Sequence, residues 1–318
     1  MYYIGLDLGG TAVKGGIVDE SGKIIYKDSI KTAVSDGATA VLEDMARFSL
    51  ELIAKSGLNI GEIAGIGIGS PGLVDGETAK VIFAPNLNWH NVDVRTTMSA
   101  ITGLPVYNSN DANCAALGEY LFGAAKGYKN SVFVTLGTGV GGGIIIDGKL
   151  FEGNCGAGAE IGHTVIVAGG EQCACGRKGC YEAYASATAL IRQTKAAAKL
   201  NPESALSDIS ESEINGRTAF DLAKRGDKAA LAVVEKYISL IGEGLVNLVN
   251  TFRPEIILIG GGISAEGEYL LAPLRAFVDK YSYAGSNAPS VKIDAASLKN
   301  DAGIVGAAAL VAAKIKKQ

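Results

Sequence analysis

Apolar and β-branched positions run from residue 2 to 8, stop at Gly9-Gly10-Thr11 and resume over 12–18 before a polar turn at 19–22. Two such runs around a glycine tip predict a β-hairpin, and a third run at 23–29 predicts a further strand. The period then changes. Val41, Met45, Phe48, Leu52 and Ile53 recur at helical spacing, so residues 38–55 read as a helix whose apolar stripe faces a core. A buried strand at 63–68, a helix at 94–101 and a strand at 105–107 complete a βββαβαβ order, which argues for an α/β lobe. An alanine-rich helix follows at 115–121. Next come a strand at 131–136, a glycine-rich tip and a strand at 144–146. Helices at 188–199, 219–225 and 229–250 flank a serine-rich connector at 201–215. A strand at 254–259, a helix from 268, a strand at 291–295 and a helix at 303–317 close the chain.

The second hairpin repeats the first. At an offset of 127 residues Gly10 meets Gly137, Thr11 meets Thr138, Gly15 and Gly16 meet Gly142 and Gly143, and Ile17 meets Ile144, the mark of a duplicated unit. Asp7 has no counterpart, because Val134 stands at the matched place. Glycine tips expose backbone N–H groups to an anion, and Asp7 can hold a hydrated divalent cation beside phosphates. Turn chemistry also selects Gly-Gly, so one tip alone says little. Two tips facing across a cleft could grip one polyphosphate from both sides. Gly260-Gly261-Gly262, after a strand, suits a nucleoside lying on backbone, or else a tight strand-to-helix turn.

Composition narrows the field. With 318 residues, 48% of them hydrophobic, the chain can fill two cores. A net charge of −4 offers no basic field for nucleic acid. No apolar run reaches the ~18 residues of a membrane span, and Met1 leads straight into a strand, so a cytoplasmic location is expected. Of five cysteines, Cys173, Cys175 and Cys180 form C-x-C-x4-C, with His163 ten residues upstream. Three thiolates and an imidazole make a closed tetrahedral zinc set, structural because it leaves no position for water. The competing reading is small core residues, or a disulfide with a spare thiol. Cys114 and Cys155 are expected to be packing residues. Glu160, His163 and Glu182 flank the thiols and suit hydrogen bonding to a polyol. Asp111, in Asn110-Asp111-Ala112-Asn113, lies at a helix start, where it is either a plain cap or a functional carboxylate.

Taken together, Asp7-Leu8-Gly9-Gly10-Thr11, Asn110-Asp111-Ala112-Asn113, the run at 136–143, Glu160-Ile161-Gly162-His163, the cysteine loop at 173–182 and the triple glycine resemble the ROK family of sugar kinases and repressors. The resemblance implies two ribonuclease-H-like lobes of the actin and hexokinase type with an active-site cleft between them. The expected division is 1–110 plus 302–318 for one lobe and 111–301, with the zinc loop, for the other. It implies transfer of the ATP γ-phosphate to a hexose 6-hydroxyl, and often a homodimer. Carried over by residue, Asp111 is the catalytic base. Gly72, Asn110, Glu160, His163 and Glu182 join Asp111 as sugar contacts. Asp7, Gly9, Gly10, Thr11, Lys14, Gly137, Thr138, Gly139, Gly261 and Gly262 bind ATP and Mg²⁺, and His163, Cys173, Cys175 and Cys180 bind Zn²⁺. The run at 84–92 resembles the glucokinase branch, so glucose is the expected hexose, with N-acetylmannosamine or N-acetylglucosamine as alternatives. A sugar-sensing regulator is the rival from another class. The family's repressors carry a helix-turn-helix ahead of the first phosphate motif, which here begins at residue 7.

Overall fold

A computed structural model describes residues 1–283 and 285–315; the last positions of the helix expected at 303–317 lie outside the described residues. Strands β1 (Tyr2–Leu8), β2 (Ala12–Asp19) and β3 (Ile24–Lys31) lead to helix α1 (Ala38–Ser56). Then come β4 (Ile63–Ser70), β5 (Leu73–Asp75), β6 (Lys80–Ala84), β7 (Trp89–Asp93), α2 (Val94–Thr102), β8 (Val106–Asn110) and α3 (Asp111–Phe122). The chain continues through β9 (Ser131–Leu136), β10 (Val140–Ile146), β11 (Lys149–Phe151), α4 (Glu182–Ala185), α5 (Ala187–Leu200), α6 (Thr218–Lys224) and α7 (Lys228–Phe252). It ends with β12 (Ile256–Gly260), α8 (Glu268–Tyr281), β13 (Lys292–Ala295) and α9 (Ala302–Ile315). Among the described residues no helix is long and apolar enough to cross a membrane.

The two five-stranded sheets have the orders β3-β2-β1-β4-β8 and β11-β10-β9-β12-β13. Numbered within its own half, each reads 3-2-1-4-5, so the duplication seen at the hairpins extends to the whole sheet. Strands β5, β6 and β7 form a third, antiparallel sheet that the hydrophobic pattern did not predict. They are three to five residues long, too short for a period to show.

Two compact units result, one of residues 1–131, 143–159 and 297–318 and one of 132–142 and 160–296. The first therefore reaches beyond the 1–110 and 302–318 expected from sequence. Its extra helix α3 packs along α9, where a Cβ at Gly118 would lie 2.8 Å from the Gly306 Cα. Buried Glu119 of α3 accepts the Leu298 amide at 2.7 Å and the Ala124 amide at 2.8 Å, which joins residues 297–298 to this unit.

Alternation along β1 sorts its residues between two helical layers. Ile4, Leu6 and Leu8 pack with Val41, Leu42, Met45, Phe48 and Leu52 of α1. On the other face Tyr3 meets Ile304, Ala308 and Val311 of α9. Contact there is close because the sheet lacks side chains under the helix: a Cβ at Gly67 would lie 1.8 Å from the Ala307 carbonyl oxygen, and one at Gly5 1.9 Å from that of Ile304. In the second unit Tyr181 and Tyr237, both buried, donate to the Ile241 and Ala185 carbonyls at 3.0 and 2.7 Å, anchoring the short α4 to α7. Cys114 is buried as expected. Cys155 is not: it is exposed at a left-handed backbone position (φ 54°) in a surface turn, so it packs nothing.

Candidate functional site

In the first unit the site residues gather at the carboxyl edge of the sheet. Asp7, next to last in β1, is in parallel register with Gly69 of β4, and Gly69 pairs with Ser109 of β8, so Asp7 and the Asn110-Asp111 pair are two strands apart. Two strand spacings amount to about 10 Å. Burial pushes the Asp7 carboxyl above the usual carboxylate range, a shift that Lys14, directly opposite on β2, partly offsets. The start of α9 closes on Asp7, and a Cβ at Gly303 would lie 2.5 Å from its carboxylate. The tip Gly9-Gly10-Thr11 is held from behind, with the Thr32 hydroxyl on the Gly9 carbonyl at 2.7 Å and the Thr32 amide on the Thr11 carbonyl at 3.0 Å. Gly10 and Thr11 are exposed.

Asn110, not Asp111, is the N-cap of α3. Its Oδ1 accepts the Ala112 and Asn113 amides at 2.9 and 3.3 Å, while its Nδ2 donates to the Gly72 carbonyl at 3.0 Å. One Nδ2 hydrogen is left for a ligand, and Gly72 is fixed beside it. Asp111 occupies the first helical position, is exposed, and takes its own following amide, that of Ala112, at 2.8 Å. The positive end of the helix favours its anion. Beneath it Cys114 is buried, and its thiol is pushed well up by that burial and by the nearby Asp111, Asp7 and Glu152 charges. Sequence reasoning missed Glu152, whose Oε1 takes the Ser109 hydroxyl at 2.6 Å. No spacing signal links the two positions.

The second unit carries the other tip and the cysteine loop. The Glu182 Oε2 accepts the Val140 amide at 3.0 Å, and a Cβ at Gly139 would lie 2.2 Å from that oxygen, so only glycine admits the carboxylate here. The tip is tied again by the Ala187 amide on the Gly137 carbonyl at 2.8 Å and the Thr188 hydroxyl on that of Thr138 at 2.8 Å. Gly261 lies against the end of β9, 2.4 Å from the Leu136 carbonyl oxygen to an added Cβ, which brings the triple glycine beside Gly137. Around Gly137 and Gly262 such a Cβ would meet nothing within 4 Å, so backbone is open to a ligand at both.

His163, Cys173, Cys175 and Cys180 place their donor atoms within 4.8 Å of one another. His163 Nδ1 is 3.7 Å from Cys173 Sγ, and Cys175 Sγ is 3.7 Å from Cys180 Sγ. Tetrahedral Zn–S bonds of about 2.3 Å put ligand atoms about 3.8 Å apart, so the set fits zinc. The loop is shaped by the Cys173 amide on the Arg177 carbonyl at 2.9 Å and the Tyr181 amide on that of Thr164 at 2.8 Å. Glu182 Oε1 lies 3.7 Å from Cys173 Sγ. Glu160 is exposed at the entry to the turn Ile161–His163, with its carbonyl accepting the His163 amide at 3.1 Å.

Two sheets of one topology, each opened by a glycine-tipped hairpin, define an α/β phosphotransferase fold of the actin and hexokinase type. The chain belongs to the ROK family, whose sequence profile matches residues 3–314. It is 39% identical over 313 residues to a glucokinase of Streptomyces coelicolor, covering 96% of each chain. To a glucokinase of Thermotoga maritima it is 40% identical over 318 residues, covering 98% of each. Among solved structures it matches a ROK family glucokinase from Streptomyces griseus in complex with glucose and AMPPNP, with TM-score 0.82 and 38% identity over 98% of this chain and 99% of that one.

Proposed function

We propose that this chain is an ATP-dependent hexose kinase that moves the γ-phosphoryl group of ATP to the 6-hydroxyl of glucose. The observation that carries the reading is the placement of an exposed Asp111 at the first position of a helix that Asn110 caps, two strands from Asp7 on one sheet edge. Phosphoryl transfer asks a protein for position and charge neutralisation, plus one carboxylate within reach of the attacking hydroxyl. Asp111 takes the proton of O6 as O6 bonds to the γ-phosphorus, and the bond from that phosphorus to the bridging oxygen of ADP breaks. Asn110 and Gly72 hold the sugar from the first unit, while Glu160, His163 and Glu182 take its remaining hydroxyls.

Asp7 and Lys14, with the backbone of Gly9, Gly10 and Thr11, bind the phosphates and Mg²⁺. Mg²⁺ neutralises phosphate charge when bound. Gly137, Thr138, Gly139, Gly261 and Gly262 take the rest of the nucleotide on open backbone. Zinc on His163, Cys173, Cys175 and Cys180 holds the sugar-contacting loop in one shape. A homodimer and a cytoplasmic location belong to the same proposal, the first carried by the family resemblance and checked by light scattering.

A panel of glucose, mannose, N-acetylmannosamine and N-acetylglucosamine with ATP and Mg²⁺ tests the reading. Glucose is expected to give the highest kcat/KM, with the product phosphorylated at C6. Absence of ADP formation with every sugar would overturn the kinase assignment, and preference for an N-acetylated sugar would overturn the choice of glucose.

A further inference from the structure

Strand β8 delivers Asn110 and Asp111, and its end is held differently on its two faces. Successive residues of a strand point to opposite sides. On one side Asn108 Oδ1 takes the Ser70 hydroxyl at 2.8 Å, and Asn110 Nδ2 reaches the Gly72 carbonyl at 3.0 Å. On the other, Ser109, only 1% exposed, donates its hydroxyl to Glu152 Oε1 at 2.6 Å. Glu152 follows β11 directly and opens the loop that runs on to Glu160. Its carbonyl accepts the Gly158 amide at 2.8 Å and so closes that loop. Its carboxylate is also hemmed in by the turn between β5 and β6, since a Cβ at Gly76 would lie 2.7 Å from Oε1. Apart from Glu160, all of these residues belong to the first unit.

We propose that Glu152 is a positioning residue: through the Ser109 hydroxyl it sets the end of β8, and with it the place of the Asp111 carboxylate. The inference rests on the reading of Asp111 as the base. A hydrogen bond to a carboxylate is roughly twice as strong as a neutral one, and removing it leaves a buried hydroxyl without an acceptor. Ser109 then loses the acceptor that fixes it at the end of β8. A displacement of about 1 Å in a reacting group is enough to cost on the order of 10²-fold in rate. Glu152 is assigned no contact with sugar or nucleotide; its removal acts on kcat through Asp111 and on KM for glucose through the neighbouring Asn110, while KM for ATP stays nearly unchanged.

The test compares Glu152→Ala, Glu152→Gln, Ser109→Ala and the Glu152→Ala/Ser109→Ala double variant in the full chain. Gln keeps an oxygen for the Ser109 hydroxyl but no charge. Glu152→Ala is expected to lower kcat roughly 10- to 100-fold, with KM for ATP within threefold of the parent. Glu152→Gln is expected to keep kcat within about fivefold, and the double variant to lose no more than Glu152→Ala alone. In parallel, hydrogen exchange without substrate is expected to show faster exchange of the Ala112 and Asn113 amides in Glu152→Ala, with α1 unchanged. The proposal is overturned if Glu152→Ala keeps kcat within twofold, if Gln is as impaired as Ala, or if the two single losses multiply. Should the parent transfer no phosphoryl group, the kinase reading fails on its own. The exchange arm then judges the positioning role, which unchanged protection of those two amides would overturn.

Discussion

Glu182 accepts the Val140 amide hydrogen at 3.0 Å, and this contact ties the second glycine tip to the start of α4. The same carboxylate lies 3.7 Å from Cys173 Sγ, so the tip and the cysteine loop share one side chain as a joint. Replacing Glu182 with Ala frees both. KM for glucose and KM for ATP are expected to rise together, each about tenfold or more, equivalent to about 1.4 kcal/mol apiece. Steady-state kinetics with each substrate varied will show it; a rise confined to glucose would mean that the tip stands without this joint.

Asp111→Asn keeps the shape of the residue and leaves the Asn110 cap on the Ala112 and Asn113 amides in place. Loss of a positioned base costs about 10²- to 10⁴-fold in rate. Turnover is expected to fall by that factor, while glucose binding measured by calorimetry and zinc content stay at parental levels. Turnover within tenfold of the parent would remove the base assignment.

The His163, Cys173, Cys175 and Cys180 set predicts one zinc per chain by elemental analysis. Cys175→Ser is expected to lose the metal and, with it, sugar affinity, because His163 of the turn Ile161–His163 is then no longer tied to the cysteine loop. A metal-free parent that still binds glucose would dismiss the zinc.

Packing of α9 on the sheet tolerates nothing larger than hydrogen at two places. Gly67→Ala puts a methyl 1.8 Å from the Ala307 carbonyl oxygen, and backbone must move to admit it. Such overpacking costs about 1–3 kcal/mol. The midpoint of urea unfolding is expected to drop accordingly. Gly57→Ala, where an added Cβ meets nothing but the backbone is left-handed at φ 77°, serves as the comparison for strain without a clash.

Asp227 caps α7. It accepts the Ala230 amide at 2.8 Å, the Ser204 hydroxyl at 2.8 Å and the Ala205 amide at 2.9 Å, and these bonds, the Ala230 amide foremost, hold its carboxyl below the usual range against the opposing effect of desolvation. A carboxyl with a depressed folded pKa stabilises the protein above its unfolded pKa and loses that contribution as pH falls through the folded value. Asp227→Ala is therefore expected to cost about 1 kcal/mol at pH 7, with the gap to the parent narrowing below about pH 4. Thermal melts of both proteins at pH 7 and pH 3 check the sign.

Much of this protein was written in local pattern. The α1 stripe, the duplicated hairpin and the C-x-C-x4-C run each depend on residues near one another in the chain, and periodicity and spacing report such neighbours directly. The apolar run over residues 2–8 likewise foretold strand β1, which the structure packs on both faces. Contacts between distant segments were another matter. Nothing at position 109 announces position 152, and whether Asn110 or Asp111 would cap α3 turned on a dihedral choice that both residue types can make. The three short strands β5 to β7 carry too few residues for a period and exist because they pair with one another. Sequence alone thus determined the longer elements, the doubled plan and the donor set for a metal. Tertiary structure decided which carboxylate is spent on holding the fold and which is left facing outward, because that depends on where remote backbone amides and hydroxyls come to rest.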